Sequence, residues 1–130
     1  MNIQNSLLNV QTLLENVLTQ DEESKRLVIA DSKGFIVIHT SDIIFCEADG
    51  YCTQFHLTEN RVITSSRNLK YYEKLLPTSR FLRVHNSYII NIQQVAGYSH
   101  HEEIFLLENK KCPLSNSHKK DFLRLFKRVK

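Results

Sequence analysis

The chain has 130 residues, 42% of them hydrophobic and 24% charged, which suits one domain with a single core and excludes a disordered chain. No apolar run approaches the roughly 18 residues needed to cross a bilayer, and the N-terminus lacks the pattern of a secretory signal, so a cytoplasmic protein without a membrane partner is expected. The net charge of +3 is unevenly spread: residues 1–59 hold three basic against nine acidic side chains (net −6), residues 60–130 fourteen against five (net +9), an asymmetry that attracts polyanions without choosing among DNA, RNA and membrane.

In chain order, Ile3, Leu7, Val10, Leu14 and Val17 recur at spacings of four and three and predict a helix over residues 3–18. The seam suits either a short coiled coil or a linker helix packed on its own domain; the two readings stand level. The acidic, polar stretch 19–25 follows as a linker. From Leu27 the texture turns to β. LVIA, FIVIHT, IIFCEA, TQFHLT and RVITSS are rich in β-branched and aromatic residues and are separated by turn clusters at 31–34, 48–50 and 58–60. Residues 68–76 break the pattern: Leu69, Tyr72, Leu75 and Leu76 share a helical face, Ser66 or Asn68 can cap it, and Pro77 stops it. Strands resume with FLRVH, YIINI, QVAGYS, EIFLLE and KCPLS. A final helix over residues 117–129 is expected to bury Phe122, Leu125, Phe126 and Val129 and to present Lys119, Lys120, Arg124, Lys127 and Arg128. Cys46, Cys52 and Cys112 form no CxxC pair, and an odd count suits a reducing compartment better than a disulfide framework.

The run Phe81-Leu82-Arg83-Val84-His85-Asn86-Ser87-Tyr88-Ile89-Ile90-Asn91 resembles the signature of the LytTR family, in which F-x-R-V-H precedes a polar residue, S-Y, an apolar pair and N. DIIFCEADGYCTQFHLTENR (42–61), NLKYYEKLL (68–76) and EIFLLENKKCPLSNSHKKDF (103–122) resemble the family's flanking segments in the same order, so the likeness covers residues 26–128. The resemblance implies a mainly β fold with short helices, an elongated arrangement of small antiparallel β-sheets in which inter-strand loops, not a recognition helix, enter successive major grooves on one face of the duplex. It implies a transcription regulator that acts on double-stranded DNA, with repeated promoter sites as the partner. Such domains usually follow a phosphorylatable receiver in a two-component response regulator. A receiver needs about 120 residues of its own, and this chain is therefore expected to be an output domain (26–130) behind a linker (1–25) that favours homodimer formation or contact with the upstream receiver. Two positions depart from the family pattern: Asn86 and Asn116 stand where Arg or Lys is common.

The resemblance nominates Tyr51, Arg83, His85, Asn86, Ser115, Asn116, Lys119 and Lys120 as DNA-binding residues. An Asn amide fits the N7 and N6 groups of adenine, so Asn86, between two strands, can read a base edge; it can equally cap its own turn. Asn116 has the same choice. Ser115 or Ser117 is first a helix N-cap, beside which free N–H groups favour phosphate. Lys119 and Lys120 supply charge without reading sequence. Arg83 either reaches a phosphate or is a solvated strand residue, and His85 either orients its loop or touches DNA. Tyr51, after Asp49-Gly50, is a DNA contact or a half-buried aromatic.

No catalytic pattern is present: HExxH, GxSxG, GxGxxG and the P-loop are all missing. His100-His101-Glu102-Glu103 are metal-capable, but four consecutive residues in a hairpin turn splay apart, so neither metal, cofactor nor enzymatic activity is expected. The alternative to DNA binding is a signalling module that docks a protein.

Overall fold

A computed structural model describes residues 26–126. The N-terminal helix and acidic linker anticipated over 1–25, and Lys127, Arg128 and Val129 of the anticipated final helix, lie outside the described residues. The predicted β runs form ten strands: β1 (Arg26–Asp31), β2 (Gly34–His39), β3 (Ile43–Asp49), β4 (Cys52–Leu57), β5 (Arg61–Ser65), β6 (Phe81–His85), β7 (Tyr88–Asn91), β8 (Val95–Ser99), β9 (Glu103–Leu106) and β10 (Lys111–Pro113). All pairings are antiparallel, giving a two-stranded sheet (β1-β2), a five-stranded sheet (β5-β4-β3-β7-β6) and a three-stranded sheet (β10-β9-β8). This is the mainly β class with small antiparallel sheets and short helices that the resemblance implies.

The five-stranded sheet divides the core. On one face Ile43, Cys46, Phe55, Leu57, Phe81 and Ile89 pack with Leu27, Ile29 and Ile38 of the β1-β2 hairpin and with helix α1 (Leu69–Leu75). On the other, Ile44, Phe45, Val84 and Ile90 meet Ile104, Leu106 and Cys112 of the small sheet and Phe122 of helix α2 (Asn116–Leu125). Strict alternation cannot place Ile44 and Phe45 on one face; the register shift between Ile43 and Phe45 does so. Each fully buried aliphatic or aromatic side chain contributes roughly 1.5–3 kcal/mol, so both layers matter to stability.

Asn68 caps α1, its Oδ1 accepting from the Tyr71 N–H at 2.9 Å, and Ser66 takes no part in the cap. Helix α2 departs from its expected stripe. Phe122 is buried, but Leu125 is 50% exposed and Phe126 is the non-helical C-cap with its ring 4.9 Å from that of Phe122. The helix stops at Leu125, and among the described residues of the expected stripe only Phe122 is fully buried, with Leu123 packed beside it.

Two turns at one end of the five-stranded sheet carry Glu-Asn in the left-handed region: Glu59-Asn60 between β4 and β5, and Glu108-Asn109 between β9 and β10. The Glu108 carboxylate accepts from the N–H groups of Glu59 (2.9 Å) and Asn60 (3.2 Å), and Lys110 Nζ donates to Asn60 Oδ1 at 3.2 Å. That clamp joins two sheets at the end where β3 begins. The opposite end is open.

Candidate nucleic-acid interface

Three connections meet at the open end. The β3-β4 hairpin closes at Asp49 opposite Cys52, leaving Gly50-Tyr51 as a two-residue loop. Gly50 has φ +58, a conformation that costs a side-chain-bearing residue strain and costs Gly nothing. The β6-β7 hairpin closes at His85 opposite Tyr88, leaving Asn86-Ser87. Because β3 pairs with β7 through Glu47 opposite Tyr88, the two loops point the same way, and the Ala48 N–H donates to the Ser87 carbonyl at 2.8 Å. The third connection leads from β10 into α2, where the Ser115 N–H donates to the Val84 carbonyl at 2.9 Å. Next to it the Leu114 N–H donates to the carbonyl of Glu102, in the β8-β9 turn.

The side chains nominated from the sequence thus gather at one end, in different roles. Tyr51 is 90% exposed and does not pack as a half-buried aromatic. Its neighbour Asp49 accepts from Gln54 Nε2 at 3.2 Å. Asn86 is exposed, and its amide makes no hydrogen bond among the described residues, so it does not cap its own turn. His85 Nδ1 accepts the Ser87 N–H at 3.1 Å with its ring against Tyr88, an orienting contact. Arg83 is neither solvated nor extended: Nε donates to the His85 carbonyl at 2.8 Å, Nη2 to the Asn86 carbonyl, and Nη1 to Glu73 Oε1 at 3.1 Å.

Ser115 occupies the N-cap of α2, yet its hydroxyl pairs with His118 Nδ1 at 2.6 Å and caps no backbone N–H. Asn116, Ser117 and Lys120 are exposed at this helix start. Lys119 lies 3.6 Å from Glu102, while Lys120 has no carboxylate within 4.0 Å among the described residues. Residues 100–102 form the anticipated hairpin turn, with Glu102 at φ +63. No residue of that turn was among the nominated DNA-binding positions. Its proximity comes from the antiparallel pairing of β10 with β9, which returns Leu114 beside Glu102. No cluster of three or more His, Cys, Asp or Glu could hold a metal ion among the described residues.

Beneath the loops lies a polar core. Glu47 bridges His56 Nε2 (2.9 Å) and the Tyr88 hydroxyl (3.0 Å), and Phe45 stacks on the His56 ring at 4.1 Å. Burial, then the Glu47 hydrogen bond, raise the Tyr88 phenol above its ordinary value. Burial pushes the Cys112 thiol up to about 12, with the Glu47 charge adding to it, and burial followed by Cys112 raises Cys46 as well. Neither is a nucleophile at neutral pH. This end offers hydrogen bonds, the exposed amides of Asn86 and Asn116, an exposed aromatic and cations.

The comparisons with known proteins agree with that chemistry. A family model described as LytTr DNA-binding domain matches residues 33–127. The sensory transduction protein LytT of Bacillus subtilis is 24% identical over 132 residues, covering 95% of this chain and 54% of that protein. Its namesake from Oceanobacillus iheyensis is 32% identical over 82 residues, covering 63% of this chain and 33% of that one. The chain therefore spans at most about half the length of these curated relatives. Among solved structures, the LytTr DNA-binding domain of a putative methyl-accepting/DNA response regulator from Bacillus cereus superposes with a TM-score of 0.66 at 25% identity, covering 78% of this chain and 95% of that one. No helix among the described residues is long and apolar enough to cross a membrane.

Proposed function

Because this chain belongs to the LytTr DNA-binding domain family, we propose that the open end of its five-stranded sheet binds double-stranded DNA in a sequence-specific manner, as the cytoplasmic output domain of a transcription regulator. The observation that carries the proposal is the pair of backbone hydrogen bonds, Ala48 to Ser87 and Ser115 to Val84, that hold the Tyr51, Asn86 and Asn116 connections together as one surface. Loops fixed to one another can enter a groove as a unit, without the ordering cost of independent flexible segments.

Within that surface the work divides by chemistry. Asn86 and Asn116 can each offer an adenine edge a paired donor and acceptor, and Tyr51 offers an apolar face to a thymine methyl or the sugar. Lys120, Lys119 and the N–H groups opening α2 suit phosphates. His85 and Ser115 act one step back, holding Ser87 and His118. As the matched LytT proteins are longer, the regulatory assignment extends to a receiver upstream, with repeated promoter sites and a dimer as the functional arrangement.

Salt titration tests the phosphate component. The log–log dependence of affinity on salt should have a slope of several units, about 0.9 per phosphate neutralised. Lys120→Ala should lower it by about one unit and weaken preferred and random duplexes alike, whereas Asn86→Ala should cost about 1–3 kcal/mol on the preferred duplex alone. Affinity that is flat with salt, as at an apolar protein interface, would refute the proposal.

A further inference from the structure

We infer that Arg83 and Glu73 are positioning residues that set the shape of the Asn86-Ser87 turn from which DNA is read. The inference rests on the DNA-binding reading but makes a separate claim about the free protein. Two-residue hairpin loops normally take positive φ at one or both central residues, because that twist matches the flanking strands. Neither Asn86 nor Ser87 is among the positive-φ residues. The hairpin closes instead with a register shift between Arg83 and His85, which makes Val84 the extra residue of a bulge. A turn of this kind leaves carbonyls without strand partners, and one guanidinium collects them: Arg83 donates to the carbonyls of both His85 and Asn86.

The third bond of the fork reaches Glu73 on α1 at 3.1 Å, and α1 is itself anchored in the core by Leu69 and Tyr72. From the other side His85 Nδ1 takes the Ser87 N–H. The backbone polar groups around the turn are thus held by side chains of the domain, and the Asn86 amide is the group left to face outward. Only 19% of the Arg83 side chain is exposed, so this cation shapes the loop and does not reach for a phosphate. A planar fork with fixed donors can hold two carbonyls and a carboxylate together, and a lysine ammonium on a flexible stem cannot.

The test compares the full chain with Arg83→Lys, Arg83→Gln and Glu73→Gln, using two readouts. In the free protein, hydrogen exchange at the Ser87 amide should speed up by about ten-fold or more in both Arg83 variants, the equivalent of one charge-assisted hydrogen bond. With DNA, the affinity ratio between a duplex selected from a random pool by the unsubstituted chain and a scrambled duplex should fall about ten-fold, while the salt slope stays unchanged. Arg83→Lys keeps the charge, so it should lose the ratio almost as fully as Arg83→Gln. Glu73→Gln should also lower the ratio. If Arg83→Lys keeps the ratio, if Arg83→Gln reduces the slope by about one unit, or if Glu73→Gln tightens both duplexes equally, Arg83 is a phosphate ligand and the inference falls. Should the unsubstituted chain bind neither duplex, the DNA reading falls by itself, and unchanged Ser87 exchange in Arg83→Lys would overturn the brace. If Arg83→Gln fails to fold, the other two variants decide.

Discussion

Asn91, the last residue of the signature run, is 1% exposed and explains itself once its partners are seen. Its Nδ2 donates to the Ile43 carbonyl at 2.9 Å, and its Oδ1 accepts the Gln93 N–H at 3.0 Å. One amide therefore ties the end of β7 to the start of β3 and shapes the short turn that follows. Asn91→Ala removes two hydrogen bonds of about 1 kcal/mol each and strands a buried carbonyl, for a total loss of about 2–4 kcal/mol. Asn91→Asp is more informative. The acceptor toward Gln93 survives, but an oxygen now faces the Ile43 carbonyl, and at neutral pH it carries an uncompensated buried charge worth about 3–5 kcal/mol.

Burial and the facing carbonyl both raise the folded pKa of the substituted carboxyl above its unfolded value of about 3.9. A raised folded pKa means that the stability is retained below the unfolded pKa and lost as pH rises through the folded one. Protonated, the carboxyl donates to Ile43 and accepts from Gln93, as the amide does. Urea unfolding of Asn91→Asp and the unsubstituted chain between about pH 4 and 8 should show a stability gap that widens with pH. A gap independent of pH, or an Asn91→Ala loss under about 0.5 kcal/mol, would refute the assignment.

Cys46 and Cys112 are buried and Cys52 is partly accessible, so a thiol reagent should modify Cys52 first and reach the other two only on the timescale of unfolding; equal rates would contradict the packing. Both buried thiols titrate above their ordinary value of 9.0, so the stability that depends on their neutral form is complete below that value and is lost above it, which denaturation at alkaline pH would reveal. Phe122→Ala should cost about 3–5 kcal/mol and lower Tm by more than about 10 °C, while Leu125→Ala should stay within about 0.5 kcal/mol. Calorimetry showing equal losses would restore the wider helix stripe. Removing residues 1–24 should preserve the β circular-dichroism signal and cooperative unfolding, because Leu27 and Ile29 already open the core; collapse of that signal would place the N-terminal segment in the core.

Much of this was legible from residue order. Every strand run and both described helices lie where β-branched texture, helical spacing, Asn68 and Pro77 put them, because those signals are local. What could not be read is what depends on a distant partner. Alternation says which residues share a face but not that β7 lies beside β3, and so it could not bring Ser87 against Ala48. The bulge beside Ile43 hides the reason Ile44 and Phe45 share a layer. Arg83 looked like a strand cation open to solvent or phosphate, since nothing local announces that Glu73 and two turn carbonyls surround it. Leu125 and Phe126 matched a helical stripe, but α2 ends at Leu125, which is half exposed, and Phe126 follows as its non-helical cap.

Where DNA sits is settled by titrating the labelled chain with a selected duplex and following backbone amide chemical shifts residue by residue. The largest changes should fall on residues 49–51, 86–87 and 115–120. The clamped turns at 58–60 and 107–110, at the opposite end of the five-stranded sheet, should stay silent. Changes concentrated on those clamped turns or on the exposed apolar strand residues Phe35, Ile36 and Val37 would show that DNA, if bound at all, is held elsewhere.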